Sequence, residues 1–172
     1  KKDINMYWLS SDLIFPDYEE VNEDGIIALG GDLSTERLIL AYQKGIFPWF
    51  NEDEPILWWF PQDRFVFFPE NLKVSKSMKK VFKDQIFTFS ENKAFREVIT
   101  NCSKAYRKDQ DGTWITNDMI EAYCQLHEQG IAKSIEVWQN DELVGGFYGI
   151  EMGNIFCGES MFAHVSNASK AG

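Results

Sequence analysis

Three short apolar segments joined by two-residue turn signals in the last third of the chain limit the fold more than any other feature. Lys133-Ser134-Ile135-Glu136-Val137-Trp138 alternates apolar with polar residues, and Asn140-Asp141 can turn the chain. Leu143 to Ile150 forms a second strand, Gly153-Asn154 a second turn, and Ile155 to Phe162 a third strand. Connections this short cannot carry a parallel crossover, so the strands are predicted to form an antiparallel meander.

Helical periodicity precedes the meander. One helix is expected from about Ser34 to Lys44, with Ser34 capping its start, Gly45 its end, and Leu38, Ala41 and Tyr42 on one face. A second covers Lys76 to Lys83. Its apolar stripe is Met78, Val81 and Phe82, and its other side is a row of ammonium groups from Lys76, Lys79, Lys80 and Lys83. Two more are expected near Lys93 to Asn101 after a Ser90 cap, and near Asn117 to Gln129 after Thr116, with Gly130 as the stop. Helices followed by a meander imply an α+β domain over residues 63–172, with residues 1–62 as a small N-terminal lobe. The stretch from Asn167 reads like the start of a helix, and the chain does not open with Met, so a fragment lacking its C-terminal part is expected.

Charge separates along the chain. Residues 1–60 hold 12 acids and 4 bases, residues 61–110 hold 6 and 11, and residues 111–172 hold 9 and 2, giving balances of −8, +5 and −7. A basic strip between acidic flanks suits a protein that meets RNA on one surface and a cation on another; the competing reading is an uneven solvated surface. No run of about eighteen apolar residues is present, and Lys1 to Asn5 lacks the apolar stretch of a secretory signal, so a cytoplasmic home is expected without a membrane. Cys102, Cys124 and Cys157 show no metal-ligand spacing and are expected to be reduced core thiols. His127 and His164 are read as structural.

Three blocks look unlike generic core. The first runs Leu29-Gly30-Gly31-Asp32-Leu33-Ser34, Ala41-Tyr42-Gln43-Lys44-Gly45-Ile46-Phe47-Pro48-Trp49-Phe50 and Pro55-Ile56-Leu57-Trp58-Trp59-Phe60-Pro61; the second is Gly112-Thr113-Trp114-Ile115-Thr116. The third is Leu143-Val144-Gly145-Gly146-Phe147-Tyr148-Gly149, then Phe156-Cys157-Gly158-Glu159-Ser160-Met161-Phe162 and Asn167-Ala168-Ser169-Lys170. In this order they resemble the signature segments of leucyl/phenylalanyl-tRNA protein transferases, over nearly the whole chain. Phe60 stands where that family commonly has Ser.

The resemblance implies an acetyltransferase-like (GNAT-like) domain behind a small N-terminal domain. It also implies a reaction: transfer of Leu, Phe or Met from aminoacyl-tRNA to proteins beginning with Arg or Lys, which marks them for degradation in the N-end rule pathway. The family continues past the Asn-Ala-Ser-Lys segment into a helix and strand carrying an Asp and a Gln thought to serve catalysis. An aminoacyl ester is already activated, so neither cofactor nor metal is expected. The attacking α-amine has an ordinary pKa near 7.7–8.0, so a modest base suffices. Glu159, between Gly158 and Ser160, is the catalytic candidate, either as that base or as the partner of the acceptor's cationic first residue.

By the same resemblance Trp49 and Trp114 are assigned to the terminal adenosine of the tRNA, where an indole face stacked on a base contributes about 1–3 kcal/mol. Phe147, Phe156 and Met161 are assigned to the aminoacyl side-chain pocket. Lys76, Lys80 and Lys83, with Lys73 and Lys79 nearby, are candidates for the acceptor-stem phosphates. Trp58, Trp59 and Trp138 are read as packing. Two rivals compete: an acyl-CoA acetyltransferase, whose pyrophosphate loop nothing between Phe162 and Gly172 matches, and a module that binds tRNA ends or basic N-termini without transfer.

Overall fold

The structure is a computed structural model in which residues 6–105 and 113–172 are described. It is a mixed α+β protein with five α-helices and two sheets among those residues, and it divides into two compact units, Lys1–Phe65 and Val66–Gly172.

The first unit is built on short strands that the sequence reading missed. β1 (Trp8–Leu9), β2 (Ile26–Gly30), β3 (Phe47–Pro48) and β4 (Leu57–Trp59) form a sheet in the order β1-β2-β4-β3, with β1 parallel to β2 and the other pairs antiparallel. β1, β3 and β4, of two or three residues, carry no period long enough to read, and the pairing is settled by distant partners. Helix α1 (Thr35–Gln43) starts as expected, the Ser34 hydroxyl accepting from the backbone N–H of Arg37. Leu38, Ala41 and Tyr42 are buried with Ile27, Ala28, Ile46 and Trp58.

Arg37 is fully buried too, and its guanidinium donates to the Ser10 carbonyl at 2.9 Å, the Asp12 carbonyl at 3.2 Å and the Asp32 carboxylate at 3.3 Å. A buried cation is tolerated only with such partners. Here they tie the segment that follows β1 to the turn that opens α1. Burial pushes the Asp32 carboxyl upward, but hydrogen bonds from Ser34 and Arg37 outweigh it and hold it below the usual carboxylate range.

The second unit contains α2 (Lys76–Lys83), β5 (Thr88–Glu91), α3 (Phe95–Lys104), α4 (Asn117–Glu128), β6 (Ala132–Gln139), β7 (Glu142–Met152), β8 (Ile155–Ala163) and α5 (Ala168–Ala171). The meander is present as β6-β7-β8, and β5 adds antiparallel to β6 to make the order β5-β6-β7-β8. Asn140 and Asp141 both take positive φ, 51° and 62°, in the two-residue turn between Gln139 and Glu142, the backbone that tight hairpins require.

One sheet face is packed by α3 and α4: Tyr148 lies edge-on to Phe95 at 5.7 Å and to Tyr123 at 5.9 Å between ring centres. Gly146 lets α3 approach, since a Cβ there would meet the Ile135 carbonyl oxygen at 2.7 Å and Val98 at 3.2 Å. His127 stacks on Phe95 at 4.4 Å and its Nδ1 lies 2.9 Å from the Ala132 carbonyl, a structural position. On the other face Val137 and Val144 pack with Phe87 and Ala168, flanked by Val81 and Val165.

Ser90 does not cap α3. It lies in β5, its hydroxyl donating to Glu136 and accepting from Trp138 Nε1 at 2.8 Å, and α3 begins later, at Phe95. The backbone N–H groups of Lys93 and Ala94 instead donate to the carboxylate of Glu136, each at 3.3 Å. A residue more than forty positions away thus takes the capping role. Two smaller expectations also change. Phe82 is 43% exposed rather than part of a buried stripe, and Cys157 is half-buried, whereas Cys102 and Cys124 are core. Burial pushes the Cys124 thiol up, keeping it protonated and unreactive near neutral pH.

Candidate functional site

The sheet face opposite α3 and α4 is only partly covered, and the uncovered part lies on β7 and β8. Phe147 and Met161 are register partners on these strands, so their side chains share one face. Phe156 joins them, its ring edge-on to Phe147 at 6.0 Å between centres. Phe156 is 47% and Met161 57% exposed, against a half-buried Phe147. Exposed apolar side chains gathered on one face offer a seat for an apolar group.

Glycines shape that seat. A Cβ on Gly149 would collide with the Cys157 carbonyl oxygen and come within 2.5 Å of Phe156 Cζ, so the Phe156 ring rests over a backbone that only Gly leaves bare. Gly149→Ala should therefore lift Phe156 off Phe147 and cost about 1–3 kcal/mol, read from urea denaturation. Gly158, beside which nothing lies within 4 Å, is the contrast: Gly158→Ala should change stability by about 0.5 kcal/mol at most.

Glu159 stands where the ladder breaks. Tyr148 pairs with Ser160 and Gly149 with Gly158, leaving Glu159 as the extra residue of a bulge on β8. Bulges re-aim side chains and are common beside active sites. The regular alternation that the sequence suggested gave no sign of it. Glu159 is half-buried, two positions before Met161.

The other candidates belong to other elements. Lys76, Lys80 and Lys83, like Lys79, are exposed on α2, and no ion pair among the described residues uses them. Trp114 is half-buried just before α4, in a turn where Thr113 Oγ1 accepts from the Ile115 N–H at 3.1 Å; Gly112 of the same block lies outside the described residues. Trp49 belongs to the first unit, 41% exposed just after β3, its ring 5.2 Å from that of Trp59, whose Nε1 donates to the Trp49 carbonyl at 2.7 Å. Trp58 is core, with Nε1 donating to the Gly30 carbonyl at 2.8 Å.

A cleft of about 350 Å³ adjoins Met161 at the end of β8, lined also by Lys104, Phe162, His164 and Ser169. His164 is exposed there, with its Nε2 3.0 Å from Asn101 Oδ1. Among the described residues no group of three or more His, Cys, Asp or Glu is placed to hold a metal ion, and no helix is long and apolar enough to cross a membrane.

Residues 66–172 match the family described as leucyl/phenylalanyl-tRNA protein transferase, and residues 31–62 match its N-terminal domain. The leucyl/phenylalanyl-tRNA–protein transferase of Flavobacterium johnsoniae is 61% identical over 96% of this chain and 78% of its own length. Proteins of the same name from Pectobacterium carotovorum, 54% identical over 97% of the chain and 71% of the relative, and Thermodesulfovibrio yellowstonii, 53% over 95% and 67%, are also similar. The chain belongs to the leucyl/phenylalanyl-tRNA protein transferase family, a family of enzymes.

Proposed function

We propose that the protein transfers leucine or phenylalanine, and also methionine, from aminoacyl-tRNA to the N-terminal Arg or Lys of acceptor proteins in the cytoplasm, marking them for degradation. The observation that carries the reading is the cluster of Phe147, Phe156 and Met161 in a chain of this family. A pocket for these side chains must be apolar and accept an unbranched Cβ, and Met adapts to side chains of different shape. Shape alone separates such residues from Ile or Val by about 1–3 kcal/mol, so the synthetase that charges the tRNA supplies much of the selectivity.

In this reading residues 63–172 are a GNAT-like domain behind a small N-terminal domain of residues 1–62. Trp49 and Trp114 offer stacking faces to the terminal adenosine. Glu159 receives the proton of the attacking amine or pairs with the acceptor's cation, and no cofactor is needed. Mixing the protein with leucyl-tRNA and a peptide that starts with Arg tests the whole: product mass greater by one leucine residue supports it, and retention of either substrate without product sinks it.

The lysines of α2 are assigned to the acceptor-stem phosphates. Each phosphate contact adds to the salt dependence of binding. Lys76→Glu with Lys80→Glu should raise KM for leucyl-tRNA about tenfold or more and flatten the slope of log KM against log salt, leaving kcat nearly unchanged. Kinetics indifferent to salt in the unmodified protein would remove the assignment.

A further inference from the structure

A groove of about 250 Å³ opens between α2 and β5, lined by Val81, Phe82, Gln85, Phe87 and Phe89. It is smaller than the roughly 300–1,000 Å³ of sites for drug-sized ligands, and suits a single planar ring. Phe87 forms a buried floor, while Phe82 and Phe89 stand 43% and 45% exposed with their ring centres 6.2 Å apart and tilted by 44°. Both rings leave part of their surface open to solvent. Gln85 adds a side-chain amide to the lining, a group that both donates and accepts and so complements the polar edge of a base.

Charge chooses the occupant. Between Asn71 and Ser90 the chain carries five lysines and one acid, Asp84. Lys79 lies three residues before Phe82 on α2, hence beside it on the helix surface, and Lys83 follows it directly. The remaining lysines of the helix continue the row, unpaired among the described residues. A row of free cations bordering aromatic faces is the pattern by which proteins hold single-stranded nucleic acid: phosphates run along the charges and bases stack on the rings. An apolar protein segment would gain nothing from the lysines.

We propose that this groove takes an unpaired nucleobase of the bound RNA, separate from the terminal adenosine, stacked on Phe82 or Phe89 and read at its edge by Gln85. The inference rests on the function proposed above, since it takes its RNA from there. It differs from the lysine assignment because stacking, unlike phosphate contact, releases no counterions.

The test is the Kd for leucyl-tRNA, measured by fluorescence anisotropy across a salt series, for the full chain and for Phe82→Leu with Phe89→Leu. Leucine keeps the apolar surface but has no ring to stack. An unchanged thermal midpoint establishes that the variant is folded; a Phe82→Tyr with Phe89→Tyr protein, which keeps both rings, serves if it is not. The leucine variant should bind about tenfold more weakly with the same salt slope, and the tyrosine variant like the parent. Ultraviolet crosslinking should join RNA to the peptide spanning Val81 to Lys93. Leucyl-tRNA bound by the parent and equally well by the leucine variant overturns the groove while leaving the proposed function standing. A parent that does not bind leucyl-tRNA overturns the function itself. Loss of acceptor-protein binding with RNA binding intact would make the groove a protein-docking site and likewise overturn the inference.

Discussion

Glu159→Gln should lower kcat/KM for peptide-bond formation about 100-fold, at the low end of what a positioned proton acceptor contributes. The expectation follows from where the residue sits. It is the extra residue of the bulge on β8, half-buried, and Gly158 beside it leaves open space for a substrate backbone. The apolar seat begins two residues further along the same strand at Met161. Under the proposed function, a substrate side chain seated on Phe147, Phe156 and Met161 would bring its carbonyl carbon to the part of β8 that carries this carboxylate. Glutamine keeps the shape and one carbonyl acceptor but neither the charge nor the proton affinity. The division of the loss separates the two roles. A fall in kcat at unchanged acceptor KM makes Glu159 the proton acceptor, whereas a rise in KM for peptides starting with Arg or Lys, at retained kcat, makes it the seat of their cation. Activity within twofold of the parent removes Glu159 from the site altogether.

How much of this was legible depended on the range of the interaction that shapes each segment. Helices α1, α2 and α4 and the meander follow from local signals: Ser34, Ser75 and Thr116 each accept from the backbone N–H three residues on, and the strands are joined by turns whose residues favour positive φ. Phe147, Phe156 and Met161 were assigned by resemblance alone, and what the register of β7 and β8 adds is that Phe147 and Met161 are cross-strand partners. Nonlocal effects were hidden. The first unit's sheet joins strands up to about thirty residues apart in sequence, as Phe47 and Ile26 both lie opposite Trp59 by virtue of folding and not of any periodic pattern. The bulge at Glu159 and the groove beside Phe82 arise from register and from which rings the fold leaves uncovered. Neither has a signature in a linear chain.

Glu136 is the sharpest case of a nonlocal role, and removing it should destabilise the protein most. Its carboxylate is fully buried, accepting from the Ser134 hydroxyl at 2.6 Å, the Ser90 hydroxyl, and the Lys93 and Ala94 N–H groups. These four donors come from β5, β6 and the entry to α3, so one side chain ties three elements. A negative charge there also meets the positive end of the α3 macrodipole. In Glu136→Ala the donors lose their acceptor and a cavity opens beside them. Each stranded buried donor costs about 1–3 kcal/mol, softened where the hydroxyls rotate to new partners. A net loss of about 3–5 kcal/mol is expected, a large part of the ~5–15 kcal/mol that holds a typical domain. At roughly 2–4 °C per kcal/mol for a chain of this size, the thermal midpoint should drop by about 6–20 °C. Glu136→Gln, which keeps one acceptor oxygen but turns an amide N–H toward the other donors, should fall between. Glu97→Ala, an exposed change on α3, should stay within about 0.5 kcal/mol of the parent. Because Glu136 touches neither the seat nor the lysine row, the folded fraction of the alanine variant should retain the parent's KM and kcat. A stable Glu136→Ala protein with lost turnover would instead move this carboxylate from the scaffold into the chemistry.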